Sequence, residues 1–194
     1  MMRKIFLTAL AAGMALGNYS ISLAEKGDNW SIIHAGSLLS DARKDVKSQQ
    51  SILIKNGTIQ EIRDGYVAAN DIAGAESVKV IDLKDQFVMA GMIDSHTHVT
   101  GEREAHGREK AVTTTESEYA LAGAMYARRI LNSGFTTVRN VGAPREAIFA
   151  LRNSINKGQI LGPRILAAGG IASPPGGSWD CNGFRPDVLR SSRR

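Results

Sequence analysis

The sequence has 194 residues, a hydrophobic fraction of 43%, a charged fraction of 22% and a formal net charge of +5. That size gives one or two domains, and that balance excludes a disordered or collagen-like chain. The positive charge sits at the two ends, with Arg3 and Lys4 near the start and four arginines against one aspartate in residues 185–194. The stretch between is neutral, so the charge is no argument for nucleic-acid binding.

Residues 1–24 carry the pattern of a secretory signal peptide. Arg3 and Lys4 form a basic start, Ile5 to Leu16 an apolar stretch, and Ser22-Leu23-Ala24 a small-x-small cleavage site. The expected mature chain begins near Glu25 and is exported, to a periplasm or the outside. The competing reading is an uncleaved anchor or a core helix, but the stretch is short for spanning a bilayer. No later segment is long and apolar enough to cross a membrane. Cys181 is the only cysteine, so an internal disulfide is excluded.

Residues 25–90 read as a small β module. Trp30 to His34 is a short strand candidate, and Asp41 to Gln50 is polar and reads as a loop. Ser51 to Lys55, the pair Asn56-Gly57, and Thr58 to Ile62 form a hairpin signal, because Asn-Gly supplies the positive φ values a two-residue turn needs. Residues 64–77 read as a loop. Val78 to Leu83 and Phe87 to Met89 read as two further strands.

After Ile93 the pattern changes. A strand ends at His98, and residues 99–114 form a charged polar loop. Thr115 with Glu118 is a capping-box pair opening a helix. Ala122, Met125, Tyr126 and Ile130 keep helical spacing, and Gly134 marks the stop. Phe135 to Arg139 is a second strand. Pro144 suits the first turn of a second helix, whose apolar face is Ala147, Ile148, Leu151 and Ile155 and whose end is Gly158. Arg164 to Ala168 is a third strand, followed by a Gly/Pro-rich loop. This alternation means βαβ units and a parallel sheet, either doubly wound or a closed barrel. No Gly-x-Gly-x-x-Gly follows the first strand, so the dinucleotide fingerprint is missing. His96 and His98 fall at a C-terminal strand end, where a barrel keeps its site, so the expected class is α/β, the start of a (β/α)8 TIM barrel, about three of its eight units, behind the β module.

Asp94-Ser-His96-Thr-His98 closes the first of these strands. Strict alternation puts Asp94, His96 and His98 on one face. Two neutral imidazoles side by side at a strand end suit two ligands of one metal ion; a solvated strand face is the alternative. In a barrel the active site lies at the C-terminal strand ends, where this motif falls.

Gly91-Met-Ile-Asp-Ser-His-Thr-His98, with Ile81-Asp-Leu83 before it, is similar to the barrel entry of the amidohydrolase superfamily. Ser133-Gly-Phe-Thr-Thr-Val-Arg139, Gly162-Pro-Arg-Ile-Leu166, Gly169-Gly170 with Ser173, and Asn182-Gly-Phe-Arg-Pro-Asp-Val188 resemble its branch of imidazolonepropionase-like enzymes and Xaa-Pro dipeptidases. The resemblance covers about residues 30–188. It implies a partial hydrolase barrel over residues 91–188 and a hydrolase of C–N bonds acting on a small-molecule amide, cyclic amide or dipeptide. It also implies a divalent metal cofactor of the zinc type, one ion or two. His96 and His98 match its first metal ligands. Asp94 is read as a residue orienting a ligand through a hydrogen bond, or as a plain strand-start aspartate.

The departures are specific. Ala90 stands where proline is usual, Asn140 where aspartate is common, and the loop Gly176 to Asp180 lacks an expected histidine. A complete barrel takes roughly 250 residues, and the family's later ligands fall on strands absent here. Residues 189–194 form a basic tail unlike the family. The expectation is a truncated, N-terminal part of such an enzyme, weakly active or inactive alone. The competing readings are a non-catalytic remnant and an exported binding module. His34 is expected to be structural or exposed. His106 lies in the loop after the first strand, and Arg139 could meet a substrate carboxylate or an internal acid. Metal identity, substrate and oligomeric state stay open.

Overall fold

The structure, a computed structural model, describes residues 28–75, 77–105, 107–174, 177, 184 and 185. The signal-peptide segment 1–24, His106, Cys181 and the tail 189–194 lie outside the described residues. The chain divides into two compact units, one built from residues up to Leu38 with Val46–Val88, the other from Leu39–Asp45 with the residues from Met89 onward.

The first unit is a four-stranded sheet in the order β3-β2-β1-β4. Its strands are β1 (Trp30–Leu39), β2 (Lys47–Lys55), β3 (Thr58–Asp64) and β4 (Val78–Met89). Strands β2 and β3 form the expected hairpin, with Asn56 at φ 51° and Gly57 at φ 79° in the turn. Ile32 pairs with Leu53 and Ile33 with Ile52 across β1 and β2. These adjacent pairs lie on opposite faces, and each belongs to its own apolar cluster, around Ile32, Leu53 and Ile72 or around Ala35, Leu38 and Ile52.

Several boundaries differ from the sequence reading, and β1 itself runs on to Leu39 rather than ending near His34. Lys47 to Gln50 are strand rather than loop: they pair with β1, and the Gln50 amide is satisfied by the Asp64 carboxylate at 3.0 Å and the Ser48 carbonyl at 2.9 Å. The two strands expected over 78–89 are one. Gly36 allows β1 to approach that continuous strand closely, since a Cβ there would meet the Lys84 carbonyl oxygen at 1.9 Å. His34 is structural: it is 7% exposed and donates from Nε2 to the Val67 carbonyl at 2.9 Å.

The second unit holds a three-stranded parallel sheet, β5 (Met92–Thr97), β6 (Phe135–Asn140) and β7 (Arg164–Ala167), in that order. Between the strands run α1 (Gly107–Thr113), α2 (Glu116–Asn132) and α3 (Arg145–Asn156). Helix α1 falls within the stretch read as loop. Helix α2 opens on the capping box: the Thr115 hydroxyl accepts from the Glu118 backbone N–H, and the Glu118 carboxylate accepts from the Thr115 N–H at 2.7 Å. Pro144 caps α3 without a side-chain bond, and the Glu116 carboxylate, reaching from α2, accepts from the Ala147 N–H at 2.8 Å instead.

The core between sheet and helices is Val99, Ala127, Val138, Ile148, Leu151 and Ile165. The buried stripe of α2 is Gly123 and Ala127, rotated from the Ala122, Met125, Tyr126 and Ile130 set; Met125 faces out. The cause is close helix packing, because a Cβ on Gly123 would stand 2.9 Å from the Leu151 side chain. Val138 and Ile165 pair on the helix side of the sheet, so their neighbours Arg139 and Leu166 face the other way.

Hydrogen bonds from the Thr115 N–H and hydroxyl hold the Glu118 carboxyl below its usual range. A group with a lowered folded pKa stabilises above its unfolded pKa and loses that contribution as pH falls through the folded value. Thr115→Ala is expected to cost about 1 kcal/mol in chemical denaturation. Glu118→Gln is expected to lessen the acid-side loss of helicity followed by circular dichroism.

Candidate functional site

Because the three strands are parallel, their C-terminal ends share one edge of the sheet, at Thr97, Asn140 and Ala167. His96 and His98 lie at the end of β5 and are exposed. Their ring centroids are 5.8 Å apart with planes at 70°. The structure thus brings together the two imidazoles that the sequence singled out.

The His98 Nδ1 lies 2.7 Å from the Gly142 carbonyl oxygen. A carbonyl only accepts, so Nδ1 carries the proton and donates, and the ring lone pair is on Nε2. That is the pattern by which a backbone carbonyl orients a metal-ligating histidine. The segment after β6 supplying this carbonyl is tied on both sides. The Val141 N–H donates to the Thr97 carbonyl at 3.1 Å, and the Ala143 N–H to the Gly169 carbonyl at 3.0 Å.

Asp94 behaves differently from strict alternation. The β5–β6 register shifts between Asp94 and Thr97, so a period of two does not run through the motif. The Asp94 carboxylate accepts from the His96 backbone N–H at 2.9 Å. It therefore braces the peptide that carries His96. Arg139 is committed as well: its Nε donates to the Ser95 carbonyl at 2.7 Å, stitching β6 to β5.

The loop beyond β5 spends acids on surface pairs. Glu102 meets Arg129 at 3.2 Å, and Glu104 pairs with Lys110, whose pKa is raised by that contact. Among the described residues no group of three His, Cys, Asp or Glu is placed to hold a metal ion. A catalytic zinc normally takes three protein ligands. The His96 and His98 imidazoles fit as two members of such a set, by donor type and by the orientation of the His98 ring.

The residue that sequence reading undervalued is Asn140. It is fully buried, and its Oδ1 accepts from the Val99 N–H at 2.7 Å. In the sequence it stood out only as a departure from aspartate.

Comparisons with known proteins show the family. The sequence model of the amidohydrolase family matches residues 87–187. A solved Xaa-Pro dipeptidase with methionine bound in its active site is 34% identical, with a TM-score of 0.72, over 82% of this chain and 38% of its own. A solved amidohydrolase is 26% identical, with a TM-score of 0.65, over 82% of this chain and 37% of its own. A prolidase complexed with N-methylphosphonate-L-proline shares the fold at 24% identity, TM-score 0.67, over 84% of this chain and 39% of its own. The chain thus spans under two fifths of the length of these relatives. Among curated proteins, no sequence matches.

Gly142 lies close against the Ile171 side chain. A Cβ there would stand 2.0 Å from Ile171 Cγ1, whereas one on Gly170 would meet nothing within 4 Å. Gly142→Ala is expected to lose about 1 kcal/mol of stability, because the Ile171 side chain must shift. Gly170→Ala is expected to stay within about 0.5 kcal/mol. Thermal melts of both variants beside the parent check the contrast.

Proposed function

Because this chain belongs to the amidohydrolase family, we propose that the end of β5 is part of a metal centre that serves hydrolysis of a C–N bond in a small amide. Dipeptides are the substrate class we favour, on the similarity to a Xaa-Pro dipeptidase. The observation that carries the reading is the His96/His98 pair with the His98 tautomer set by Gly142.

In this reading His96 and His98 ligate a divalent cation, and imidazole donors favour zinc. When bound, such an ion lowers the pKa of a coordinated water to roughly 7 and polarises the scissile carbonyl. The chain's own residues supply positioning. Gly142 holds the proton on His98 Nδ1 and so presents Nε2. Asp94 fixes the His96 peptide, and Arg139 holds the neighbouring Ser95 carbonyl. Among the described residues no third His, Cys, Asp or Glu is grouped with them. Export by residues 1–24 would place the reaction in a periplasm or outside the cell.

The test is the zinc content of purified chain after dialysis, beside a His96→Ala/His98→Ala variant. About one retained ion per chain, lost in the variant, is expected. No retained zinc in either protein would overturn the proposal and favour a non-catalytic remnant.

A further inference from the structure

Asn140 ends β6 with a side chain that is 0% exposed. Its Oδ1 takes the Val99 N–H, and its backbone carbonyl takes the Ala168 N–H at 3.0 Å. Its Nδ2 is buried and has no hydrogen-bond partner among the described residues. An unpaired buried donor is costly, and an apolar side chain of similar size would avoid that cost. The amide is explained by its oxygen.

That oxygen acts next to His98. On one side of His98 the Thr97 carbonyl is held by the Val141 N–H, and on the other the Val99 N–H is held by Asn140. The ring itself is held by Gly142, two residues after Asn140. The backbone on both sides of His98 and its Nδ1 proton are thus anchored to one short segment, 140–142. We propose that Asn140 is a positioning residue for His98, its amide oxygen fixing the Val99 peptide so that the imidazole stays on the Gly142 carbonyl with its lone pair on Nε2. The step to metal binding rests on the reading of His98 as a ligand; the step to ring orientation does not.

Two variants of the full chain separate the roles. Asn140→Leu removes the acceptor and the donor at similar volume, and Asn140→Asp keeps an acceptor oxygen. Long-range proton–nitrogen NMR of the His98 ring, assigned with His98→Gln, reads the tautomer without metal in slightly alkaline solution, where free imidazole is neutral. The parent and Asn140→Asp are expected to show one species, protonated at Nδ1. Asn140→Leu is expected to show a mixture of tautomers, with zinc affinity weaker by about 10-fold or more. A single Nδ1-protonated species in folded Asn140→Leu would overturn the proposal. If Asn140→Leu does not fold, the smaller Asn140→Ala is read in its place: a mixture of tautomers supports the proposal, and a single Nδ1-protonated species overturns it. If the parent binds no zinc, the metal reading fails, while the tautomer comparison still decides the role of Asn140.

Discussion

The second unit depends on how the ends of a parallel sheet are held. Parallel strands have no tight turns joining neighbours, so their C-terminal ends must be tied by the loops that leave them. Here one short segment does this. Asn140, Val141, Gly142 and Ala143 bond to the end of β5, the chain just after it and the chain after β7. Four consecutive residues thus set the spacing of three strand ends, and one of their carbonyls orients a histidine. Structure and candidate chemistry share the same bonds.

The two faces of that sheet are unequal. The helix side is closed by α2 and α3 over Val138 and Ile165. The other side leaves Ile93 71% and Leu166 56% exposed. A closed (β/α)8 barrel fills its interior with branched apolar side chains from alternate strand positions. Ile93 and Leu166 are of that kind and lie on the face where Thr137 and Arg139 also point. The three parallel strands therefore present one closed face and one exposed apolar face. The His pair stands at the end of the sheet where such a barrel keeps its site.

What the sequence disclosed was local. Asn56-Gly57 announces its turn because two successive residues tolerate positive φ. Thr115 and Glu118 announce a helix start because each satisfies the other's backbone N–H. His96 and His98 were legible because identical side chains recur two apart beside an apolar run. What stayed hidden was decided across the chain. The polar stretch Lys47 to Gln50 is a strand because β1 lies beside it and Asp64 receives the Gln50 amide. The face of α2 is set by Leu151 approaching Gly123, a partner 28 positions on that no periodicity in α2 reveals. The register shift at Asp94 likewise follows from pairing with β6 and has no sequence signature.

Asn140 shows the same division at the site. Read along the chain, it is a neutral residue at a strand end. Read in the fold, it is a fully buried acceptor 41 residues from the peptide it holds. A carboxylate there would bring a charge into a dry core, where ionised groups need several partners. A carboxamide accepts the same hydrogen bond without that charge, and its cost is one donor left unpaired. The carboxamide therefore holds the Val99 peptide beside His98 without a buried charge. What the His pair requires from β6 is an oxygen in a fixed place, and a neutral side chain provides it.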